Sequence, residues 1–158
     1  MTSLIQRINN REVATRPRFY SVPVTIGSGV GPVAVGEKKL ASVQVQDVPF
    51  ILKRITWEPT SPNGVGPAAN PLSLIPLSYF NVVWRTDIHV YAAEPIPINA
   101  AFGSPLNIHT NDLPSPVEMN PKTTITFEVF TTIARLYPVS IQFVLHGVEP
   151  DMSQKTGI

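Results

Sequence analysis

A strict alternation of apolar and polar positions runs through residues 80–91 and predicts a long β-strand. One parity is mostly apolar and the other mostly polar, which is the period-2 pattern of a strand with one buried face. The apolar parity carries Phe80, Val82, Trp84, Thr86, Ile88 and Val90. The same alternation recurs at residues 124–131 and 139–146. The pattern therefore predicts an all-β protein.

Shorter alternating segments near the start of the chain predict three further strands. These are residues 19–26, 41–46 and 50–58. Pro23 places the first of them at a sheet edge, because proline cannot donate a hydrogen bond to a ladder. Two weaker extended pieces are predicted around residues 96–98 and 106–109. Strands of this number, joined by long crossing loops, fit a two-sheet antiparallel sandwich, most simply an eight-stranded jelly roll. A Greek-key, immunoglobulin-like sandwich is the structural alternative.

The pattern divides the chain into an arm, one domain and a tail, and a length of 158 residues fits a single domain. Residues 1–18 lack strand alternation, so we predict a flexible N-terminal arm that orders only against a neighbouring subunit. The sandwich is predicted over residues 19–147 and a polar tail over residues 148–158. Two proline-rich stretches, residues 59–76 and 94–121, are predicted to be long surface loops of the kind that bind or assemble.

The composition favours a surface that meets other proteins. Only 15% of the residues are charged, where about 25% is usual. The net charge of +1 is too small for a general attraction to nucleic acid. The chain has no cysteine, which excludes disulfides and thiol chemistry. No apolar run is long enough for a membrane span, and the start of the chain has no apolar core of a signal peptide, so we expect no membrane partner. The small net charge makes nucleic acid an unexpected partner as well.

Basic residues concentrate in the arm, which contains four arginines and a single acidic residue, Glu12. Phosphate contacts by so few arginines would contribute modestly and would be screened by salt, so a protein contact is the favoured interpretation. The apolar residues of the arm are spaced for one short amphipathic helical turn. The predicted protein interface therefore consists of Leu4, Ile5, Arg7, Ile8, Arg11, Arg16 and Arg18.

A catalytic site is considered for the polar face of the long strand. Arg85, Asp87 and His89 share that face, and neighbours at i and i+2 lie roughly 6.5–7 Å apart along a strand, which would suit a general base with an orienting carboxylate. A solvated strand face gives the same pattern, and no nucleophile accompanies it. We therefore expect no enzymatic activity and no small-molecule substrate.

Other candidate sites are weaker. His89, His109 and His146 are the only histidines, and none has the paired spacing of metal ligands. The glycine-rich residues 27–32 open an extended segment rather than a helix, which argues against a phosphate loop. Trp57 and Trp84 share the parity of apolar neighbours, so we predict core positions rather than stacking platforms. No metal and no cofactor are expected.

Four segments resemble strand and loop units of small jelly-roll virion proteins of tailed bacteriophages. They are residues 50–57, 113–116, 120–127 and 139–147, the last closing on Leu145-His146-Gly147. The resemblance implies a non-enzymatic structural role, as a head decoration or cement protein or as a minor capsid, collar or tail protein. It transfers no catalytic residues. It also implies a location in the virion, assembled in the host cytoplasm, and contacts with other virion proteins such as the major capsid protein.

Long loops on a charge-poor sandwich expose apolar area that symmetric association can cover, so we expect a homotrimer. Two other classes stay open. A small jelly-roll capsid protein that encloses the genome would need a more basic arm. A carbohydrate-binding module would need exposed aromatic side chains on a sheet face.

Overall fold

A computed structural model describes residues 2–27, 32–60, 80–103, 112–132 and 139–153. The strands are β1 (Thr15–Ile26), β2 (Lys38–Gln44), β3 (Phe50–Thr60), β4 (Phe80–Thr86), β5 (Ile96–Pro97), β6 (Asp112–Met119), β7 (Thr124–Thr131) and β8 (Val139–Pro150), and the helices are α1 (Leu4–Asn9) and α2 (Ile98–Phe102). The weak strand predicted at residues 106–109 and nearly all of the loop predicted at residues 59–76 lie outside the described residues.

The strands form two four-stranded antiparallel sheets, in the orders β1-β8-β3-β6 and β2-β7-β4-β5. The last strand, β8, lies between β1 and β3, and β7 lies between β2 and β4. This interleaving of early and late strands is the arrangement of an eight-stranded jelly roll. The prediction of an all-β, two-sheet antiparallel sandwich is confirmed.

Alternating burial places one face of each sheet in a shared core. Every second residue of β7 is buried, and its bounds are those that the sequence predicts. Aromatic rings join the two layers, because Phe127 of β7 stacks on Phe143 of β8 with centroids 4.4 Å apart. Trp57 and Trp84 are only 2% and 6% exposed, so both predicted core positions are confirmed. Trp57 Nε1 also donates to the Gly103 carbonyl at 2.8 Å, which satisfies its buried N–H.

The predicted twelve-residue strand is wrong in its second half, because β4 ends at Thr86. The Thr86 N–H donates to the His89 carbonyl at 2.8 Å, and the His89 N–H donates to Thr86 Oγ1 at 3.1 Å. These bonds turn the chain. The Asp87 carboxylate accepts from the Thr124 N–H at 2.9 Å, which holds the turn against the start of β7. The apolar and polar residues that continue to alternate after Thr86 therefore do not belong to β4.

The ends of the sandwich also differ from the prediction. The first strand begins at Thr15 rather than at residue 19, and the last continues to Pro150 rather than ending at residue 146. The two strands pair along this extension, with Thr15 opposite Pro150 and Arg16 opposite Glu149. The sandwich therefore takes in the end of the predicted arm and the start of the predicted tail, because each supplies the other with ladder partners.

The stretch predicted as irregular, residues 94–121, contains β5, α2 and β6. Pro114 and Pro116 hide β6 from sequence patterns, since proline removes a ladder donor. The strand tolerates them because it lies at the edge of its sheet and pairs only with β3. The buried Ile98 and Phe102 of α2 pack into the core.

Candidate functional site

One row of side chains crosses the outer face of the first sheet. The strand register places Phe19 opposite His146, His146 opposite Arg54, and Arg54 opposite Asp112. The Phe19 and His146 rings meet edge to face with centroids 5.3 Å apart. Arg54 Nε donates to Asp112 Oδ1 at 2.6 Å. These four residues, one from each strand of the sheet, are called the cross-strand row.

A β-bulge in β3 shapes the sheet beside this row. Leu52 lies opposite Gly147, and Arg54 lies opposite His146, so Lys53 is an extra residue without a position of its own in β8. A bulge bends its strand and re-aims the side chains around it. The exposed Lys53 side chain therefore lies on the same surface as the row.

The edge strand β6 arches away from β3 at the same place. Leu52 lies opposite Val117, whereas Arg54 lies opposite Asp112, so residues 113–116 have no partner positions in β3. The arch and the bulge leave a groove of 470 Å³. Its lining includes the cross-strand row, Lys53, Leu113 and Pro116. We call this surface the outer groove.

Gly147 lets the chains approach closely beneath the outer groove. A Cβ atom at this position would lie 2.1 Å from the Ile51 carbonyl oxygen and 2.6 Å from the nearest carbon of the Phe50 ring. No side chain fits that space, so the bulge depends on glycine here. Close packing against β3 therefore explains why the Leu-x-Gly segment ends in glycine.

The groove carries a small positive charge at neutral pH. Burial lowers the pKa of His146, and the Arg54 charge lowers that pKa further, which favours the neutral ring. His146 Nε2 lies 2.7 Å from Thr56 Oγ1. The Arg54 charge is balanced by Asp112. Among the described residues no carboxylate lies within ion-pair distance of Lys53, so its ammonium group is the unbalanced charge.

A second cluster of charge closes one end of the core. The Glu149 side chain is only 4% exposed and lies 2.6 Å from Arg16 Nε and 3.9 Å from Arg18 Nε. The Arg18 guanidinium also lies over the Tyr20 ring, 5.2 Å from its centroid, and donates to Gln46. Two of the four arginines predicted for a protein interface are therefore engaged inside their own chain.

The remaining predicted interface residues lie in or next to α1. A capping box between Ser3 and Gln6 begins this helix, as expected for a short helix that must satisfy its own N-terminal N–H groups. The residues Leu4, Ile5 and Ile8 are half-buried, whereas Arg7 and Arg11 are exposed. The helix lies against β6, and a cleft of 500 Å³ separates the arm from residues 150–152. The predicted helical turn is confirmed. Leu4 and Arg7 line the cleft, whereas Arg16 and Arg18 lie beside Glu149. The protein interface expected for the seven residues stays a prediction.

The predicted polar face of the long strand does not form. Arg85 lies 3.6 Å from Glu128, Asp87 accepts from Thr124, and His89 is exposed in the turn after β4. His109 lies outside the described residues. Within the described ranges no group of three or more His, Asp or Glu side chains could hold a metal ion.

Exposed apolar side chains follow β4. Ile88 is 64% exposed and Val90 is 61% exposed, whereas Tyr91 stacks on Trp84 with centroids 4.0 Å apart and keeps 37% of its surface exposed. We call Ile88, Val90 and Tyr91 the loop patch. Ile88 and Tyr91 also line a cleft of 270 Å³ with Met119 at the end of β6.

Comparisons with protein families and with curated proteins found no match. No protein-family model matches the chain. No curated protein matches it significantly either. In the part of the chain that the structure describes, no helix has the length and apolar character needed to cross a membrane. The function is therefore inferred from the residues of the molecule.

Proposed function

We propose that this protein is a non-enzymatic structural protein of a bacteriophage virion, most simply a capsid decoration or cement protein that binds neighbouring capsid subunits. The observation that carries this proposal is the loop patch. Ile88 and Val90 each keep more than half of their surface exposed although both are large and apolar. Neighbouring exposed apolar side chains are typical of surfaces that bind another protein.

The binding free energy that the loop patch can supply is small for one copy, so the patch fits a contact that several copies make at once. Burying a fully exposed aliphatic side chain contributes about 1.5–3 kcal/mol. Ile88 and Val90 already lie partly covered, so each would contribute about 1–2 kcal/mol on docking. One such contact is weak, but an oligomer that docks several copies at once on a symmetric particle gains avidity without any further contact. A homotrimer is the oligomer that we propose.

The segments that resemble phage virion proteins support the same role. They lie mainly in β3, β6 and β8, which are neighbouring strands of one sheet, and in β7, an inner strand of the other sheet whose Phe127 stacks on Phe143 of β8. The segments in β3, β7 and β8 contribute buried residues to the core, whereas residues 113–116 lie in the arch of the edge strand β6. We place the protein in the virion, assembled in the host cytoplasm, with the major capsid protein as its partner.

The test compares a loop-patch variant with a matched control on particles assembled without this protein. The variant Ile88→Asp/Val90→Asp places charge on the patch. The control Val35→Asp/Leu40→Asp changes two other large apolar residues that are also exposed. Co-sedimentation measures binding, and circular dichroism checks that both variants fold.

Wild-type protein and the control should sediment with the particles, and the patch variant should lose about tenfold or more in affinity, which corresponds to about 1.4 kcal/mol or more. Absence of the wild-type protein from purified virions, or equal binding by the folded patch variant, would overturn the proposal.

A further inference from the structure

We propose that the outer groove binds a saccharide that carries a carboxylate group. This site goes beyond the structural role proposed above and does not depend on it. The groove combines an exposed aromatic ring, paired polar groups and one unbalanced cation on a rigid sheet. Each of these features matches one part of an acidic sugar.

Phe19 supplies the apolar contact. It lies on the outward parity of β1, whereas its neighbours Arg18 and Tyr20 lie on the inward parity. Its side chain keeps 59% of its surface exposed. An aromatic ring in that position contributes nothing to the core, but it offers an apolar surface to the C–H groups of a sugar ring. An exposed aromatic side chain on a sheet face is the feature that a carbohydrate-binding module requires.

The ion pair beside Phe19 can bind hydroxyl groups. A guanidinium carries five N–H donors, and a carboxylate has about four lone-pair positions. The 2.6 Å contact between Arg54 and Asp112 uses one donor and one acceptor of that set. The remaining donors and acceptors lie side by side at the groove, which suits adjacent sugar hydroxyls that both donate and accept.

The charge of the groove favours an anionic ligand. Its titratable groups are Lys53, Arg54, Asp112 and His146. With His146 neutral, the two cations exceed the single carboxylate by one charge, and Lys53 is the cation without an ion-pair partner among the described residues. A charge-assisted hydrogen bond from its ammonium group to a sugar carboxylate would be about twice as strong as a bond between neutral groups.

The scaffold holds these groups in place before a ligand arrives. Two members of the row, His146 and Arg54, lie on the inner strands β8 and β3, and Gly147 fixes the close approach beneath them. A preformed site avoids the entropy of ordering side chains on binding. The groove volume of 470 Å³ lies within the roughly 300–1,000 Å³ that is usual for small-ligand sites.

A peptide strand fits this surface less well. Strand addition needs backbone donors along a free sheet edge. Both edge strands that border the groove carry prolines, which supply no N–H: Pro114 and Pro116 in β6, and Pro17 and Pro23 in β1. The groove therefore favours a compact polar ligand over an extended chain.

The experiment uses the full-length protein on an array of neutral, sialylated and uronic-acid glycans, followed by isothermal titration with the strongest binder. Carboxylated glycans should bind and their neutral counterparts should not, and added salt should weaken binding. Phe19→Ala and Lys53→Ala should each lower the affinity about tenfold, which is about 1.4 kcal/mol. The controls Leu40→Ala and Lys39→Ala, exposed residues of the other sheet, should bind as the wild type does.

Nuclear magnetic resonance of the labelled wild-type protein locates the site without any variant, and the perturbed signals should include those of Phe19, Lys53 and His146. Failure of every carboxylated glycan to bind at millimolar concentration, equal binding of neutral glycans, or perturbations confined to another surface would each overturn the proposal. Particle association is measured separately, and Phe19→Ala should still bind particles. Loss of glycan binding alone therefore leaves the structural role standing.

Discussion

Gly147→Ala should be among the most damaging small substitutions in this protein. The added methyl carbon would lie 2.1 Å from the Ile51 carbonyl oxygen and 2.6 Å and 2.7 Å from two carbons of the Phe50 ring. Favourable contacts between carbon atoms lie at about 3.5–4.0 Å. The Ile51 oxygen belongs to the backbone, so a side-chain rotation cannot relieve the overlap. Either β8 or the bulged part of β3 must move by roughly 1 Å or more.

The cost follows from this displacement. Overpacking a core costs typically about 1–3 kcal/mol, and each ladder hydrogen bond that weakens adds about 0.5–1.5 kcal/mol. Alanine also restricts the unfolded chain, which offsets about 0.4–1 kcal/mol. The free energy of unfolding should therefore fall by about 2–4 kcal/mol, and the melting temperature by roughly 5–15 °C for a chain of this size.

Gly36→Ala is the matched control. No atom lies within 4 Å of a Cβ built there, but the residue has φ +78°, so the substitution strains only the backbone. We expect a loss of about 1–2 kcal/mol. Urea denaturation of both variants measures the difference. A Gly147→Ala protein that is as stable as the wild type, or more stable than Gly36→Ala, would refute the close packing at the bulge.

Three further predictions test the core, the groove and the arm. Trp84→Ala should cost about 3–5 kcal/mol, whereas the exposed His89→Ala should cost under about 1 kcal/mol; denaturant melts that reverse this order would contradict the assignment of the core. Because burial and the Arg54 charge hold the pKa of His146 below 6.5, the unfolded state binds this proton more readily than the folded state. The free energy of unfolding should therefore fall as the pH drops below 6.5 and through the folded pKa, and His146→Gln should flatten that part of the stability curve. Deleting residues 2–10 should barely change the melting temperature, since α1 has no buried residue. Deleting residues 2–18 should destabilise the fold strongly, because it removes the first part of β1 and both arginines that pair with Glu149.

The sequence predicts those elements whose stability is local and regular. The bounds of β7 match the prediction because every second residue faces the core along its whole length. The end of β4 could not be predicted in this way, since the alternation continues past Thr86, where hydrogen bonds between Thr86 and His89 turn the chain. The edge strand β6 was hidden for the opposite reason, because its prolines break the local pattern while the sheet tolerates them.

The basic residues of the predicted arm include two, Arg16 and Arg18, that pair with Glu149 of their own chain. Arg16 and Arg18 continue the inward parity of Tyr20 and Val22 towards the start of β1. Parity alone would have placed them at the end of the core, but a charged residue on an inward position needs a partner that the local sequence does not supply. That partner is Glu149, near the other end of the chain. Residues 15–18 therefore look like a polar arm in the sequence, because their strand partners in β8 lie far away along the chain.

The residues of the outer groove could not be predicted together from the sequence pattern. Phe19 is an apolar residue on the polar parity of its strand, and that mismatch alone could have marked an exposed aromatic ring. Its partners, however, come from three other strands, and alternation defines which face a residue occupies without defining which residue lies opposite. The bulge at Lys53 shifts the register by one position, so a uniform pairing of β3 with β8 would misplace either Leu52 or Arg54. The candidate ligand site is thus a product of register, which only the folded sheet provides.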